Sequence, residues 1–280
     1  MFQKAYVEIT NRCNLRCSFC PGTRRPLHNL TVEEFTCIAE KLQGYTQYIY
    51  LHVMGEPLLH PDLAEIMRAA ERKGMKICIT TNGTLLARRK EELLAARNLH
   101  KISISLHSAE ANGKSAEAAR AYWEETYAFA EKAASRGVVT VLRLWNEGGE
   151  NAHNGAIIRF LQEKTGRREW DEPREGSFRL APHFYLEHAK KFEWPDLDAA
   201  EQGTQFCRGL RDQIAVLSDG TVAPCCLDHE GDIPLGNLFT DTLEEILHRE
   251  RTVALLRGFD ERKPSEALCR RCAFATRFNR

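Results

Sequence analysis

The chain has 280 residues, 43% hydrophobic and 28% charged, a composition typical of a globular protein with one large domain and a smaller one. Its 39 basic and 39 acidic residues cancel to zero formal net charge, which disfavours a general nucleic-acid-binding protein. Because no apolar run could span a bilayer and the N-terminus does not resemble a signal peptide, we expect a cytoplasmic protein with no membrane partner. In that compartment ten cysteines indicate metal binding or redox chemistry.

Strand-like and helix-like segments alternate through the first two thirds of the chain. Thr31 and Glu34 form a capping box for the first helix, and Pro61 suits the first turn of the second. Six βα-type units in series predict an α/β fold, a partial TIM-type barrel whose site lies at the carboxyl ends of the strands. The predicted strands are 5–10, 47–53, 75–80, 101–106, 138–145 and one within 178–188; the predicted helices are 31–42, 61–73, 85–97, 115–136 and 156–164.

The regular alternation stops near residue 200, which predicts two domains, a barrel over 1–200 and a small domain over 201–280. In the small domain, Asp219-Gly220 is a strong hairpin signal. Asp241 and Glu244 are suited to cap a following helix. The predicted elements of this part are strands over 213–218 and 221–224 and a helix over 241–256.

Three cysteines directly follow the first strand. Cys13, Cys17 and Cys20 have the spacing C-x-x-x-C-x-x-C. Three thiolates on one short loop can hold three irons of a 4Fe–4S cluster and leave the fourth open to a small molecule, and an open position is typical of catalytic metal sites. The alternative is a zinc site, for which His28 is the nearest candidate for a fourth ligand.

With this motif the chain resembles the radical S-adenosylmethionine (SAM) superfamily, which usually has an aromatic residue before the last cysteine, here Phe19. The resemblance implies a SAM-binding 4Fe–4S cluster, with Phe19 near the adenine of SAM. It also implies reductive cleavage of SAM to methionine and a 5′-deoxyadenosyl radical, which abstracts hydrogen from a substrate. An electron donor such as flavodoxin or ferredoxin is the implied partner.

A second motif follows the second predicted strand. Met54-Gly55-Glu56-Pro57 is similar to the family's GGEP element, with Met54 in place of the first glycine. The resemblance implies that Gly55, Glu56 and Pro57 contact the amino group of the SAM methionine. A carboxylate and backbone carbonyls are suitable acceptors for an ammonium group.

Three further residues stand at strand ends where the family binds its cofactor. Asn82 lies in a Thr-Asn-Gly segment that resembles an active-site element of the family, and an ordinary turn is the alternative. Ser105 matches a serine near the SAM ribose, and His107 stands where the family often has an aspartate, so it is either an acid–base group or a loop histidine. Arg143 can pair with the SAM carboxylate or form a salt bridge within the protein.

The small domain carries a second set of cysteines in the pattern C-x12-G-x4-C followed by C-x-x-C. It resembles the SPASM extension and its shorter form, twitch, which bind auxiliary iron–sulfur clusters. A four-cysteine zinc site is the alternative. Cys226 is expected to point away from its neighbour, as a substitute ligand or a buried thiol. The resemblance implies one auxiliary 4Fe–4S cluster with four ligands, Cys207, Cys225, Cys269 and Cys272.

We expect the substrate to be a peptide or protein, since relatives with such extensions often modify peptides; a small carbohydrate-like metabolite is the alternative. Because the first cluster cysteine is at position 13, no leader-binding domain is expected before it. Two other hypotheses, a non-catalytic iron–sulfur electron carrier and a zinc-stabilised binding module, leave the barrel motifs unexplained. No general acid or base is assigned, and the polar residues of interest are His107, Glu187, Asp228 and His229.

Overall fold

The computed structural model describes residues 1–203 and 206–278. Five parallel strands, each followed by a helix, form the first part of the fold. The strands are β1 (Lys4–Val7), β2 (Tyr48–Tyr50), β3 (Lys76–Thr81), β4 (Leu99–Ser105) and β5 (Val139–Glu147). The helices are α1 (Val32–Leu42), α2 (Leu63–Arg72), α3 (Leu86–Ala95), α4 (Ala116–Ser135) and α5 (Asn154–Thr165). The predicted α/β barrel architecture is confirmed. No helix in these ranges is long and apolar enough to cross a membrane.

The sixth parallel strand is reached through a hairpin that the sequence reading missed. Between α5 and the strand lie β6 (Asp171–Arg174) and β7 (Ser177–Ala181), which pair antiparallel. The single strand predicted within 178–188 is therefore two, because β7 ends and turns at His183 (φ 59°) into β8 (Phe184–Lys190). β8 pairs parallel with β5.

Three helix starts lie two residues from the predicted positions, including α5, which begins at Asn154 instead of 156. The capping box of α1 is confirmed by bonds from Glu34 N to Thr31 Oγ1 (3.1 Å) and from Thr31 N to the Glu34 carboxylate (2.8 Å). Helix α2 begins at Leu63, two residues after the predicted Pro61, because Pro61 and Asp62 form a turn in which Asp62 is the N-cap residue. In the second part, a capping box of Thr242 with a downstream glutamate replaces the predicted cap. An extended Arg249 then divides the predicted helix into α6 (Leu243–His248) and α7 (Glu250–Asp260).

The second part extends the same sheet. Strand β9 (Gln213–Val216) pairs parallel with β1 and antiparallel with β10 (Thr221–Ala223), which pairs with β11 (Gly236–Asn237). The predicted hairpin is confirmed, and its Gly220 has φ +82°. A last short helix, α8, spans Ala267–Arg270. The sheet therefore runs across the chain position at which two domains were predicted.

The two faces of the sheet differ in chemistry. Alternate strand residues such as Ile49, Ile77 and Ile102 are fully buried against the helices. The residues between them face the concave side, where Tyr6 and Arg143 lie. Function is therefore expected on this concave face and at the strand ends that border it.

Candidate functional site

The first three cysteines lie on the loop that leaves β1. Cys13 and Cys20 are exposed, and Cys17 is half-buried. Asn112, in the loop before α4, donates from Nδ2 to Cys17 Sγ (3.2 Å) and accepts from the backbone N–H of Arg16 (3.0 Å). Protein atoms around the loop partly desolvate the three thiols and raise the pKa of each, and the neighbouring thiols add to this for Cys13 and Cys17. A bound cation would offset both effects, so the donor set fits a metal cluster.

The glutamate of the second motif is held rigidly beside this loop. Glu56 is 2% exposed, and its backbone N–H donates to the carbonyl of Arg12 (2.8 Å). Its Oε1 accepts from Leu58 N (3.0 Å) and Thr81 Oγ1 (2.7 Å), and among the described residues its Oε2 accepts from Asn82 N (2.7 Å) alone. Burial raises the pKa of Glu56 to about 6, although these donors oppose the shift. A lone pair of Oε2 is left for a further donor.

Gly55 allows the second motif to contact the loop that carries Cys13, Cys17 and Cys20. Its φ is +78°, and an added Cβ would lie 2.4 Å from the carbonyl oxygen of Thr10 and 2.9 Å from that of Arg12. Only glycine fits this contact. Pro57 begins the 3₁₀ turn that Glu56 caps. The two motifs are therefore packed backbone to backbone.

A buried ion pair joins both motifs to the second part of the chain. Glu8 is fully buried and accepts two bonds from Arg25 Nη2 (2.7 and 2.8 Å). It also accepts from Met54 N (3.0 Å) and Ser218 N (3.2 Å). Arg25 Nε donates to the carbonyl of His229 (2.9 Å). The sequence reading missed this junction, although an acidic residue in an otherwise apolar strand was a usable signal.

Asn82 and Ser105 lie at the ends of neighbouring strands beside the loop. Asn82 donates from Nδ2 to Asn14 Oδ1 (3.0 Å), within the cysteine motif, and accepts from Thr84 N (3.0 Å). The hydroxyl of Tyr122 donates to the carbonyls of Asn82 (2.7 Å) and Ser105 (3.1 Å). Asn82 thus both shapes its turn and contacts the cluster loop.

Phe19 packs on His107, with ring centroids 4.9 Å apart. His107 is 5% exposed, and its Nδ1 lies 3.0 Å from the carbonyl oxygen of Arg143. Burial lowers the pKa of His107, so the ring is neutral near pH 7. His107 is therefore a buried side chain that packs against Phe19.

Arg143 points onto the concave face from β5. Its guanidinium stacks on Trp145 at 4.2 Å and donates from Nη1 to Thr80 Oγ1 (3.3 Å). Its Nε lies 3.8 Å from the Glu187 carboxylate and has no hydrogen-bond partner among the described residues. Burial lowers the pKa of Arg143, and the Glu187 charge opposes this shift. The Nε is therefore a buried atom that faces Glu187 at a distance longer than a hydrogen bond.

The second cysteine set surrounds one apolar cavity, and Asp228 lies in its wall. Burial, followed by the neighbouring thiols, raises the pKa of Cys225 and Cys269. Cys226 lies outside this lining and faces the hydroxyl of Tyr6 on the concave face, as expected for a residue that points away. The thiols that line the cavity are Cys207, Cys225, Cys269 and Cys272.

In neither cysteine set do the described side chains converge on a position that a metal ion could occupy. Among the described residues, no three cysteine, histidine, aspartate or glutamate side chains converge closely enough to hold a metal ion. Ligation at either site therefore requires rotation of thiol side chains.

Comparisons with protein families match both parts of the chain. The Radical SAM superfamily matches residues 7–161, and SPASM, an iron–sulfur cluster-binding domain, matches residues 207–273. The first curated relatives align over only about a third of their own length. The antilisterial bacteriocin subtilosin biosynthesis protein AlbA of Bacillus subtilis is 24% identical over 97% of this chain and 65% of its own.

Two solved structures share the fold. BtrN in complex with AdoMet and 2-DOIA superposes with a TM-score of 0.63 at 18% identity, over 98% of this chain and 93% of its own. The protein anSMEcpe with bound AdoMet and Kp18Cys peptide also gives a TM-score of 0.63, at 14% identity, over 98% and 87%. At these identities the likeness extends to the fold alone.

Proposed function

The chain belongs to the radical SAM superfamily, and we propose that it modifies a peptide or protein substrate by hydrogen abstraction. The radical SAM domain implies SAM and a 4Fe–4S cluster, and the SPASM domain implies auxiliary iron–sulfur clusters. When bound, the first cluster supplies the electron that cleaves SAM and releases the 5′-deoxyadenosyl radical. The observation that carries the proposal is the cysteine loop packed directly against the Gly55-Glu56 motif.

We propose that residues around the loop of Cys13, Cys17 and Cys20 each bind a different group of SAM. Oε2 of Glu56 accepts from the SAM ammonium group, beside Gly55 and Pro57. Arg143, whose Nε lies 3.8 Å from the Glu187 carboxylate, is proposed to bind the SAM carboxylate through its guanidinium group. Ser105 lies near the ribose, and Asn82 and Phe19 complete the wall on either side. The proposed ligands of the first cluster are Cys13, Cys17 and Cys20.

The second cysteine set is proposed to hold one auxiliary 4Fe–4S cluster in the domain over 201–280. Four thiols around one cavity form a closed site, which suits a structural or electron-transfer cluster without an open iron. Cys226 takes no part, because its thiol faces Tyr6. The proposed ligands are Cys207, Cys225, Cys269 and Cys272.

Two likenesses support a peptide substrate: AlbA, named for bacteriocin biosynthesis, aligns with nearly the whole chain, and anSMEcpe was solved with a peptide. BtrN, solved with 2-DOIA, favours a second candidate, dehydrogenation of a small carbohydrate-like metabolite. We propose a flavodoxin or ferredoxin as the electron donor in either case.

The substrate class is tested with the full chain, both clusters reconstituted, under anaerobic reduction with SAM. The mixture receives either short unmodified peptides of varied sequence or a set of small carbohydrate-like alcohols. We expect 5′-deoxyadenosine and a peptide of altered mass to accumulate together. If only a small alcohol is oxidised in step with 5′-deoxyadenosine, the second candidate is correct.

A further inference from the structure

The chain that leaves the first cysteine loop returns to the barrel along the second part of the fold. This return limb covers residues 21–29. Its far end is fastened by Asn11, which donates from Nδ2 to the carbonyl of Pro26 (2.9 Å) and accepts from His28 N (2.8 Å). The end next to Cys20 is held differently, by groups from the second part of the fold.

Two consecutive arginines of the return limb make these contacts. Both carboxylate oxygens of Glu230 accept from the backbone N–H of Arg24 (3.1 and 3.2 Å). Arg25 donates from Nε to the carbonyl of His229 (2.9 Å) and from Nη2 to the Glu8 carboxylate (2.7 and 2.8 Å). The side chains of Glu230 and Arg25 are 10% and 11% exposed, so these bonds lie largely out of water, where hydrogen bonds are stronger.

The segment that holds the return limb, residues 227–233, is itself well fixed. The buried carboxylate of Asp228 accepts from two backbone N–H groups further along the segment (2.8 and 3.0 Å). The ring of His229 packs against Trp194, with centroids 5.0 Å apart. Asp228 also lines the cavity of the second cysteine set. One short segment therefore borders the second site on one side and fastens the return limb on the other.

The same contacts reach the second motif of the first site. Besides Arg25, Glu8 binds the backbone N–H of Met54 (3.0 Å), which directly precedes Gly55 and Glu56. A shift of Arg25 would remove two of the bonds that the buried Glu8 carboxylate accepts and leave its charge less compensated. The position of the return limb is therefore coupled to the backbone of the second motif.

We propose that Glu230 is a positioning residue for SAM binding, which holds the return limb, and with it the first cysteine loop, in the binding conformation. The inference rests on the proposed function, since it uses the SAM contacts proposed for the loop and Glu56. The second part of the fold then serves the first site as well as its own cysteines. An ion pair that contributed stability alone would leave SAM affinity unchanged when Glu230 is removed.

The test uses the full chain with both clusters reconstituted and SAM added without reductant. SAM affinity is measured by equilibrium dialysis at matched iron content, and loop mobility by hydrogen exchange of residues 11–29. Glu230→Ala removes both acceptor oxygens, so we expect about 3- to 10-fold weaker SAM binding and faster exchange in the loop, the worth of one or two buried hydrogen bonds. Glu230→Gln keeps one acceptor oxygen and should bind SAM within about twofold of the wild type.

Two control variants separate positioning from stability. Arg24→Ala removes a side chain that is 85% exposed and leaves the backbone N–H in place. Asp241→Ala breaks a similar arrangement elsewhere in the second part, where Asp241 accepts from Asn237 N (2.9 Å) and pairs with Arg249 (2.8 Å). Both controls are expected to bind SAM with wild-type affinity, although Asp241→Ala should melt at a lower temperature.

The inference is overturned if Glu230→Ala binds SAM as tightly as the wild type or if its loop exchanges at the wild-type rate. It is also overturned if Asp241→Ala weakens SAM equally, or if Glu230→Gln loses as much affinity as Glu230→Ala. Peptide modification is measured separately under reduction. Its absence in a wild type that binds SAM normally would remove the proposed substrate and leave the role of Glu230 standing.

Discussion

Replacement of Gly55 by alanine tests the contact between the two SAM-site motifs. The new Cβ would lie 2.4 Å from the carbonyl oxygen of Thr10, at a backbone φ of +78°. The left-handed conformation costs about 1–2 kcal/mol for a residue with a Cβ. The clash adds about 1–3 kcal/mol. Because the atom met is backbone, the loop must move and the bond from Glu56 N to Arg12 O is lost. We expect Gly55→Ala to lower the free energy of unfolding by about 3–6 kcal/mol in total.

Gly74→Ala is the matched control, since Gly74 has φ +70° and no atom within 4 Å of an added Cβ. Thermal melting by circular dichroism should show a fall of a few degrees for the control and roughly 8–15 °C for Gly55→Ala. Equilibrium dialysis of SAM should show unchanged affinity for the control and a loss of at least about tenfold for Gly55→Ala. Equal melting and normal SAM affinity in Gly55→Ala would refute the argument.

Three further predictions follow from buried groups. Glu8→Ala removes a fully buried carboxylate and leaves its arginine partner uncompensated, so it should lower the free energy of unfolding by about 3–5 kcal/mol, as measured by thermal melting. The control Glu65→Ala disrupts an exposed ion pair and should lower it by only about 0–1 kcal/mol. Because the pKa of Glu56 is raised to about 6, SAM should bind with full affinity above that pH and more weakly below it, where the carboxylate is protonated. An affinity that does not change with pH across this range, measured by equilibrium dialysis, would contradict the contact proposed between Glu56 and SAM. Cys225→Ala should lose the iron of the auxiliary cluster, whereas Cys226→Ala should keep it, as measured by iron content per chain.

Local patterns predicted those parts of the fold that local chemistry determines. The capping box at Thr31, the hairpin at Gly220 and the alternation of strands and helices depend on residues close in sequence, and all are confirmed. The cysteine spacing placed Cys13, Cys17 and Cys20 on one loop for the same reason, whereas the four cysteines around the cavity are distant in sequence and were grouped only by the family resemblance. The assignment of individual ligands remains a prediction.

Features that depend on distant contacts were not predictable. The junction at Glu8 joins residues more than two hundred positions apart, from Glu8, just after β1, to Ser218. The hairpin before β8 was missed because its short charged strand, Asp171–Arg174, is fully exposed and has no hydrophobic alternation.

The most direct test of the account is formation of 5′-deoxyadenosine. The full chain is reconstituted anaerobically with iron and sulfide, reduced, and given SAM, and the product is measured by chromatography beside a variant with alanine at positions 13, 17 and 20. The account predicts product from the wild type and none from the variant. Absence of product from the reduced, fully loaded wild type, even with candidate substrates, would contradict it and favour an electron carrier.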